Sequence, residues 1–290
     1  MDNVVYAIDC GGTNLRVAAI DSKLSVISFK TISTITDNPN NLYNKIKEFI
    51  NDIHQETKIP VKNIGFSICG VVSNNNVGRC GNIGIEEGFD FYSKLKKDFP
   101  EAKITIANDA NASALGEAVY GVNKDYNDSI FITISTGIGM GVVLNKKIVD
   151  TPMELGRQLI KINNIENELE YFLSGTGIVN LSREFGLKVK DAKEFFELVK
   201  NKEKNALVPF NEWINNIALM LVNLQLLFNV EGYSLSGGVI KSASVYFNEI
   251  EKIANSKIAK WHLRKIKLHV SQFDQNIGII SAGALALTNL

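Results

Sequence analysis

Two short stretches near the start of the chain, Val4–Ile8 and Leu15–Ile20, are apolar and rich in β-branched residues. The polar, glycine-bearing segment between them predicts a hairpin with a turn longer than the tightest types. Further on, Leu42, Ile46, Phe49, Ile50 and Ile53 fall at helical spacing, and Ile64–Cys69 is continuous enough for a buried strand. Ser73–Gly88 has no periodicity and is expected to be a long functional loop. A short strand, Ile104–Ala107, then runs into an alanine-rich helix ending near Gly121. The pattern starts again at residues 130–144, "IFITISTGIGMGVVL", with an apolar strand, a glycine turn and a second apolar strand. "FNEWINNIALMLVNLQLLFNV" is apolar on most faces, which predicts a helix buried between layers. It leads into "GYSLSGGVI", a strand ending on a glycine pair, followed by a helix, a strand at Ile266–Val270 and the closing helix "NIGIISAGALALTNL". The chain thus reads as two related α/β halves, an arrangement whose site usually lies in the cleft between them.

Composition narrows the class without choosing the chemistry. The 290 residues suffice for two cores, 45% are hydrophobic, and 31 basic side chains balance 31 acidic ones. No global field therefore attracts nucleic acid or an anionic membrane. Cys10, Cys69 and Cys80 are odd in number and form no CxxC pair, which predicts reduced thiols in a cytoplasmic protein. No signal peptide or membrane span is expected, and His54, His262 and His269 are expected to be surface or packing histidines.

Three turns carry the candidate chemistry: Gly11-Gly12-Thr13, Thr136-Gly137-Ile138-Gly139 and Ser236-Gly237-Gly238. Glycine lets backbone N–H groups approach an anion closely, and phosphate is the expected guest. Neither the Rossmann fingerprint nor the Walker A lysine motif accompanies them.

Taken in order, these segments resemble the sugar kinases of the actin and hexokinase superfamily and, within it, the ROK family. "DCGGTNLR" from Asp9 to Arg16 resembles the first phosphate motif, "ISTGIGMG" the second, "LSGGVI" the adenosine motif, and "NDANASALGE" from Asn108 to Glu117 the catalytic segment. The resemblance implies a two-domain, ribonuclease H-like α/β fold with an interdomain cleft. The expected first domain spans residues 1–107 plus 278–290, and the second spans 108–277. It also implies ATP on Asp9, Gly11, Gly12, Thr13, Asn14, Thr136, Gly137, Gly139, Gly237 and Gly238, with Asp9 facing hydrated Mg2+ through water. Asp109 is the implied base for the sugar hydroxyl, although either Asn108 or Asp109 also suits a helix N-cap. Asn82, Asn108, Glu154 and Glu170, with Asp109, are the implied sugar contacts.

One departure from the family stands out. Most members continue a Glu-x-Gly-His motif into a three-cysteine zinc loop, whereas this chain has Arg157 and then Gln158–Tyr171, which contain neither cysteine nor histidine. No zinc site is expected. Arg157 would then contact the sugar, pair with Glu154 or Glu170, or stand in solvent. Ser135 and the closing segment resemble bacterial N-acetylmannosamine kinases, whose reaction belongs to sialic acid catabolism; glucose or another hexose is the alternative acceptor. Family repressors carry a DNA-binding segment ahead of the kinase-like part, and with only Met1–Asn3 before the first strand no nucleic-acid partner is expected. A non-catalytic sugar sensor is the remaining alternative, and a homodimer is typical of the family.

Overall fold

The computed structural model describes residues 4–273 and 276–288. It divides into two compact units, the first comprising 4–121, 147–152 and 276–288, the second 122–146 and 153–273.

In the first unit, β1 (Val5–Cys10) pairs antiparallel with β2 (Asn14–Ile20), and β2 pairs antiparallel with β3 (Val26–Ser33). On its other side β1 pairs parallel with β4 (Asn63–Ile68), which pairs parallel with β7 (Lys103–Asn108). The sheet order is β3-β2-β1-β4-β7. Strand alternation sends large side chains to one face. There Tyr6, Ile8 and Phe66 meet Leu42, Ile46, Ile50 and Ile53 of α1 (Pro39–Thr57), together with Phe91 and Leu95 of α2 (Phe91–Asp98). Small side chains line the other face, where Val5, Ala7 and Ala18 meet Ile279, Ala282 and Ala286 of α9 (Ile277–Leu287). The approach is close: a Cβ on Gly65 would lie 1.8 Å from the Ala282 carbonyl oxygen.

Helix α3 (Asp109–Val119) also packs on α9, through Ala112, Leu115, Ala284 and Leu285. It therefore belongs to the first unit, and the domain boundary expected after residue 107 falls instead after Gly121. Residues 1–3 and 289–290 of the expected first domain lie outside the described residues. The expected loop 73–88 is partly regular, because β5 (Val72–Ser73) and β6 (Asn76–Val77) form a small hairpin and Gly81–Ile83 a 3-10 turn.

The second unit repeats the core of the first. Strand β8 (Ser129–Ile134) pairs antiparallel with β9 (Ile138–Leu144) and parallel with β13 (Gly232–Ser236), which pairs parallel with β14 (Leu268–Val270). The two-residue β10 (Lys147–Ile148) falls in the first unit's middle segment. The hairpin of β11 (Leu159–Ile162) and β12 (Ile165–Glu168) turns on Asn163 and Asn164, both at positive φ. After it come α4 (Leu169–Leu173), α5 (Gly175–Glu184), α6 (Ala192–Lys200), α7 (Lys204–Phe228) and α8 (Phe247–Ile258). Phe195, Phe196, Trp213 and Tyr246 stack edge-on in the core, and the Trp213 indole donates to the Leu173 carbonyl at 3.0 Å. Helix α7 is buried on one side only: Val208, Leu219, Leu226 and Leu227 are exposed, the last by 75%, so the expectation of a helix covered on most faces is corrected. Among the described residues no helix is long and apolar enough to cross a membrane.

Candidate functional site

In the first unit the turn between β1 and β2 is pinned from several sides. Gly11 N–H donates to the Asn14 carbonyl at 3.1 Å, Thr34 N–H donates to the Thr13 carbonyl at 2.9 Å, and the Thr34 hydroxyl donates to the Gly11 carbonyl at 2.6 Å. Gly12 and Thr13 form the exposed tip. Neither Gly11 nor Gly12 has positive φ, so space is what glycine supplies here; a Cβ on Gly12 would touch that of Asn82 at 3.4 Å. The structure thus brings Asn82, exposed in its 3-10 turn, beside the first glycine turn.

Asp9 is 8% exposed at the end of β1, and its carboxylate accepts from Arg16 Nη1 at 3.1 Å. Burial raises its pKa above the ordinary carboxylate value, with the Arg16 charge and hydrogen bond opposing. The same carboxylate lies where a Cβ of Gly278 would stand, 2.2 Å from Oδ2, at the first turn of α9. An acid at a helix start is electrostatically favoured. Gly278 and Arg16 are functional candidates that the turn-by-turn reading passed over; a glycine opening the closing helix was the available signal.

Both residues at the β7–α3 junction act, in different ways. Asn108 is the N-cap: its Oδ1 accepts from Ala110 N–H (2.9 Å) and Asn111 N–H (3.3 Å), while its Nδ2 donates to the Gly70 carbonyl (2.8 Å). With its side chain so engaged, Asn108 positions Asp109. Asp109, the first helical residue, is exposed, and its Oδ1 accepts from Ala110 N–H at 2.8 Å.

In the second unit the β8–β9 turn leaves Ser135 and Thr136 exposed. Ser135 N–H donates to the Gly137 carbonyl at 2.9 Å, and Gly175 N–H donates to the Ser135 carbonyl at 2.7 Å. Gly139 lies within β9 opposite Thr133, past the turn. Gly237, at φ +98°, would place a Cβ 2.3 Å from the Ile134 carbonyl, whereas Gly238 has open space beside it. Thr136 and Gly238 line one cavity of about 580 Å3 together with Gly175, Thr176, Arg183 and Lys193. At its edge the N-terminus of α5 is capped by the Ser174 hydroxyl, which accepts from Gly177 N–H at 2.9 Å. A helix N-terminus and three cations, Arg183, Lys190 and Lys193, against the single carboxylate of Asp191, make this cavity attractive to an anion. Gly175 and Thr176 were not anticipated, although "SGTG" after an apolar run is a legible cap.

Glu170, expected on the sugar, is held beside the β8–β9 turn. Its Oε2 accepts from Ile138 N–H at 3.1 Å, its Oε1 meets Arg157 Nη1 at 2.9 Å, and Cβ atoms on Gly137 and Gly156 would fall 2.6 and 2.7 Å from it. Arg157 also pairs with Glu168, so of its three expected placements the structure gives the ion pair, with Glu170 and Glu168 as partners. Glu154 is exposed just before the 3-10 turn Leu155–Arg157. The expected sugar contacts therefore divide, with Asn82, Asn108 and Asp109 in the first unit and Glu154, Arg157 and Glu170 in the second.

Among the described residues no group of three or more His, Cys, Asp or Glu side chains is placed to hold a metal ion. Asp9 alone, with an oxygen donor already shared with Arg16, fits magnesium reached through water; this ion commonly keeps several waters and takes one or two carboxylates plus substrate phosphates.

The comparisons with known proteins bear on the family and the fold. A glucokinase from Thermotoga maritima is 22% identical over 97% of this chain and 96% of its own. An N-acetylmannosamine kinase from Escherichia coli is 25% identical over 96% of this chain and 97% of its own, and xylose repressors are relatives too. Among solved structures, a ROK hexokinase from Thermus thermophilus superposes with a TM-score of 0.85 at 21% identity, covering 99% of both chains. The fold is that of the actin/hexokinase-like ROK sugar kinases, and the ROK family model matches residues 5–289. The chain belongs to the ROK family.

Proposed function

We propose that this chain is an ATP-dependent sugar kinase that phosphorylates the 6-hydroxyl of a hexose in the cytoplasm. The observation that carries this reading is the cavity on which Thr136 and Gly238, far apart in sequence, meet the N-terminus of α5. Its volume and its cations suit a nucleotide. In the first unit Asp109 is held by the Asn108 cap with its carboxylate exposed, where it accepts the proton of the attacking hydroxyl. Asn82, beside Gly12, orients the sugar, and Asn108 fixes the direction of the base. In the first unit the exposed tip at Gly12 and Thr13 offers backbone N–H groups to phosphate, and in the second Thr136 borders the cavity proposed for the nucleotide. Magnesium, reached through water from Asp9, would neutralise charge on the phosphates.

N-acetylmannosamine is the proposed acceptor, supported by the Ser-Thr-Gly form at Ser135 and by the Escherichia coli relative; glucose is the alternative. Residues 274–275 of the closing segment that supports this choice lie outside the described residues. A homodimer belongs to the same proposal, and light scattering of the purified protein checks it. A panel of hexoses in one coupled ATP assay tests the acceptor. In the same assay Asp109→Asn folds with an unchanged melting curve and loses at least about 100-fold in kcat. ATP turnover indifferent to every added sugar would instead favour a sensor, the role that the repressor relatives suggest.

A further inference from the structure

The three cysteines are dispersed in sequence and gathered in the fold. Cys10 ends β1, and its carbonyl accepts from Cys69 N–H at 3.1 Å. Cys69 Sγ and Cys80 Sγ are 3.0 Å apart, with the two residues only 7% and 3% exposed. Backbone geometry causes the approach. Gly70 has φ +99° and leaves no room for a Cβ, which would lie 2.6 Å from Cys80 Cβ. Just beyond it, Val71 N–H donates to the Arg79 carbonyl at 3.0 Å and Gly78 N–H to the Val71 carbonyl at 2.8 Å. The two thiols therefore flank the open base of the β5–β6 hairpin, away from its turn at Asn74–Asn75.

We propose that Cys69 and Cys80 are a modification site, a dithiol that hydrogen peroxide converts to a reversible disulfide and that thereby adjusts the acceptor side of the first unit. A disulfide needs about 2.05 Å between sulfurs, so the pair must close by roughly 1 Å. Cys80 is the attacking sulfur: the 3.0 Å hydrogen bond it shares with Cys69 lowers its pKa, while burial and the Asp9 charge push Cys10 up and keep it protonated. The Cys80 thiolate attacks one peroxide oxygen, the O–O bond breaks, and hydroxide leaves a sulfenic acid. Cys69 sulfur then attacks Cys80 Sγ and displaces hydroxide, which departs as water with the Cys69 proton. Two thiols and one peroxide yield one disulfide and two waters, and an external dithiol reverses the step. The burial of the two thiols excludes an oxidant as bulky as glutathione disulfide.

The link bears on the candidate sugar site through two short paths. The Gly70 carbonyl, next to Cys69, receives the Asn108 side chain that caps the helix bearing Asp109. Asn82 stands two residues after Cys80, against Gly12.

The test uses the full chain, reduced, freed of reductant, exposed to graded hydrogen peroxide, then denatured in an alkylating agent and digested for mass spectrometry. The expected product is a linked peptide pair carrying Cys69 and Cys80, lighter by about 2 Da, restored by dithiothreitol and still formed in Cys10→Ala. Three alkylated thiols after peroxide, a link through Cys10, or a gain of about 32 Da on Cys80 with Cys69 free would each overturn the proposal. The wild-type chain gives this readout even where Cys80→Ser folds poorly, and it stands whether or not the protein proves to be a kinase. With activity in hand, the linked form should show a sugar KM changed by at least about threefold and an ATP KM unchanged; an unchanged sugar KM would overturn the proposed adjustment.

Discussion

The two glycine turns present the same outline and are built differently. Each joins antiparallel strands, and each is backed by an acid paired with an arginine, Asp9 with Arg16 at 3.1 Å in one unit and Glu170 with Arg157 at 2.9 Å in the other. In the first unit the acid and the arginine lie opposite one another on β1 and β2, so the hairpin carries its own charge pair. In the second the acid arrives from α4 and the arginine from a 3-10 turn; they settle in a cradle formed by Gly137 and Gly156, and the carboxylate consumes the Ile138 N–H. The difference teaches that one glycine-turn outline can be backed by a charge pair built locally or by one assembled from afar. The assembled version depends on packing that the local one does not need.

Substitutions at the glycines should break this contrast most sharply. In Gly137→Ala the new Cβ meets a carboxylate fixed by two partners, and we expect a loss of about 2 kcal/mol in chemical denaturation. Gly12→Ala makes an ordinary contact with Asn82 and should stay within about 0.5 kcal/mol. Equal losses would mean that the Glu170 cradle is soft.

Removing the arginine probes charge rather than space. Arg157→Ala leaves Glu170 uncompensated beside Thr136, so the KM for ATP should rise about fivefold while the sugar KM changes less, and adding Glu170→Gln should recover most of the rise. A fivefold rise in the sugar KM with ATP unaffected would return Arg157 to the sugar.

The smallest expected effect concerns pH. Burial raises the Asp9 pKa in the folded state, so the fold favours the protonated carboxyl. The stability linked to this group is complete below the ordinary carboxylate value of 3.8 that holds in the unfolded chain, and is lost as pH rises through the folded value. Asp9→Asn should therefore melt slightly higher than wild type near neutral pH, with the gap closing on acidification. A lower melting temperature near neutral pH would show that the Arg16 pair outweighs burial.

Much of this was legible in sequence where chemistry is local. The hairpins around Gly11–Gly12 and Thr136–Gly137, and the β7–α3 step at Asn108–Asp109, follow from short-range patterns, whereas the strand order of the two sheets also needs the parallel pairings. What escaped depends on long-range packing. Placing α3 in the first unit required its contact with α9, and seating Glu170 on the turn required that α4 fold back against β9. The exposed leucines of α7 show the limit of periodicity: an apolar surface in the sequence does not state whether anything covers it.

The small-residue seam beneath α9 has a consequence for biosynthesis. Val5, Ala7 and Ala18 are translated before every described residue of the second unit, yet their cover, Ala282 and its neighbours, is translated after all of them. The opening sheet must therefore stand half bare while its sibling folds, and a nascent chain stalled before Ile277 exposes a ready surface to chaperones.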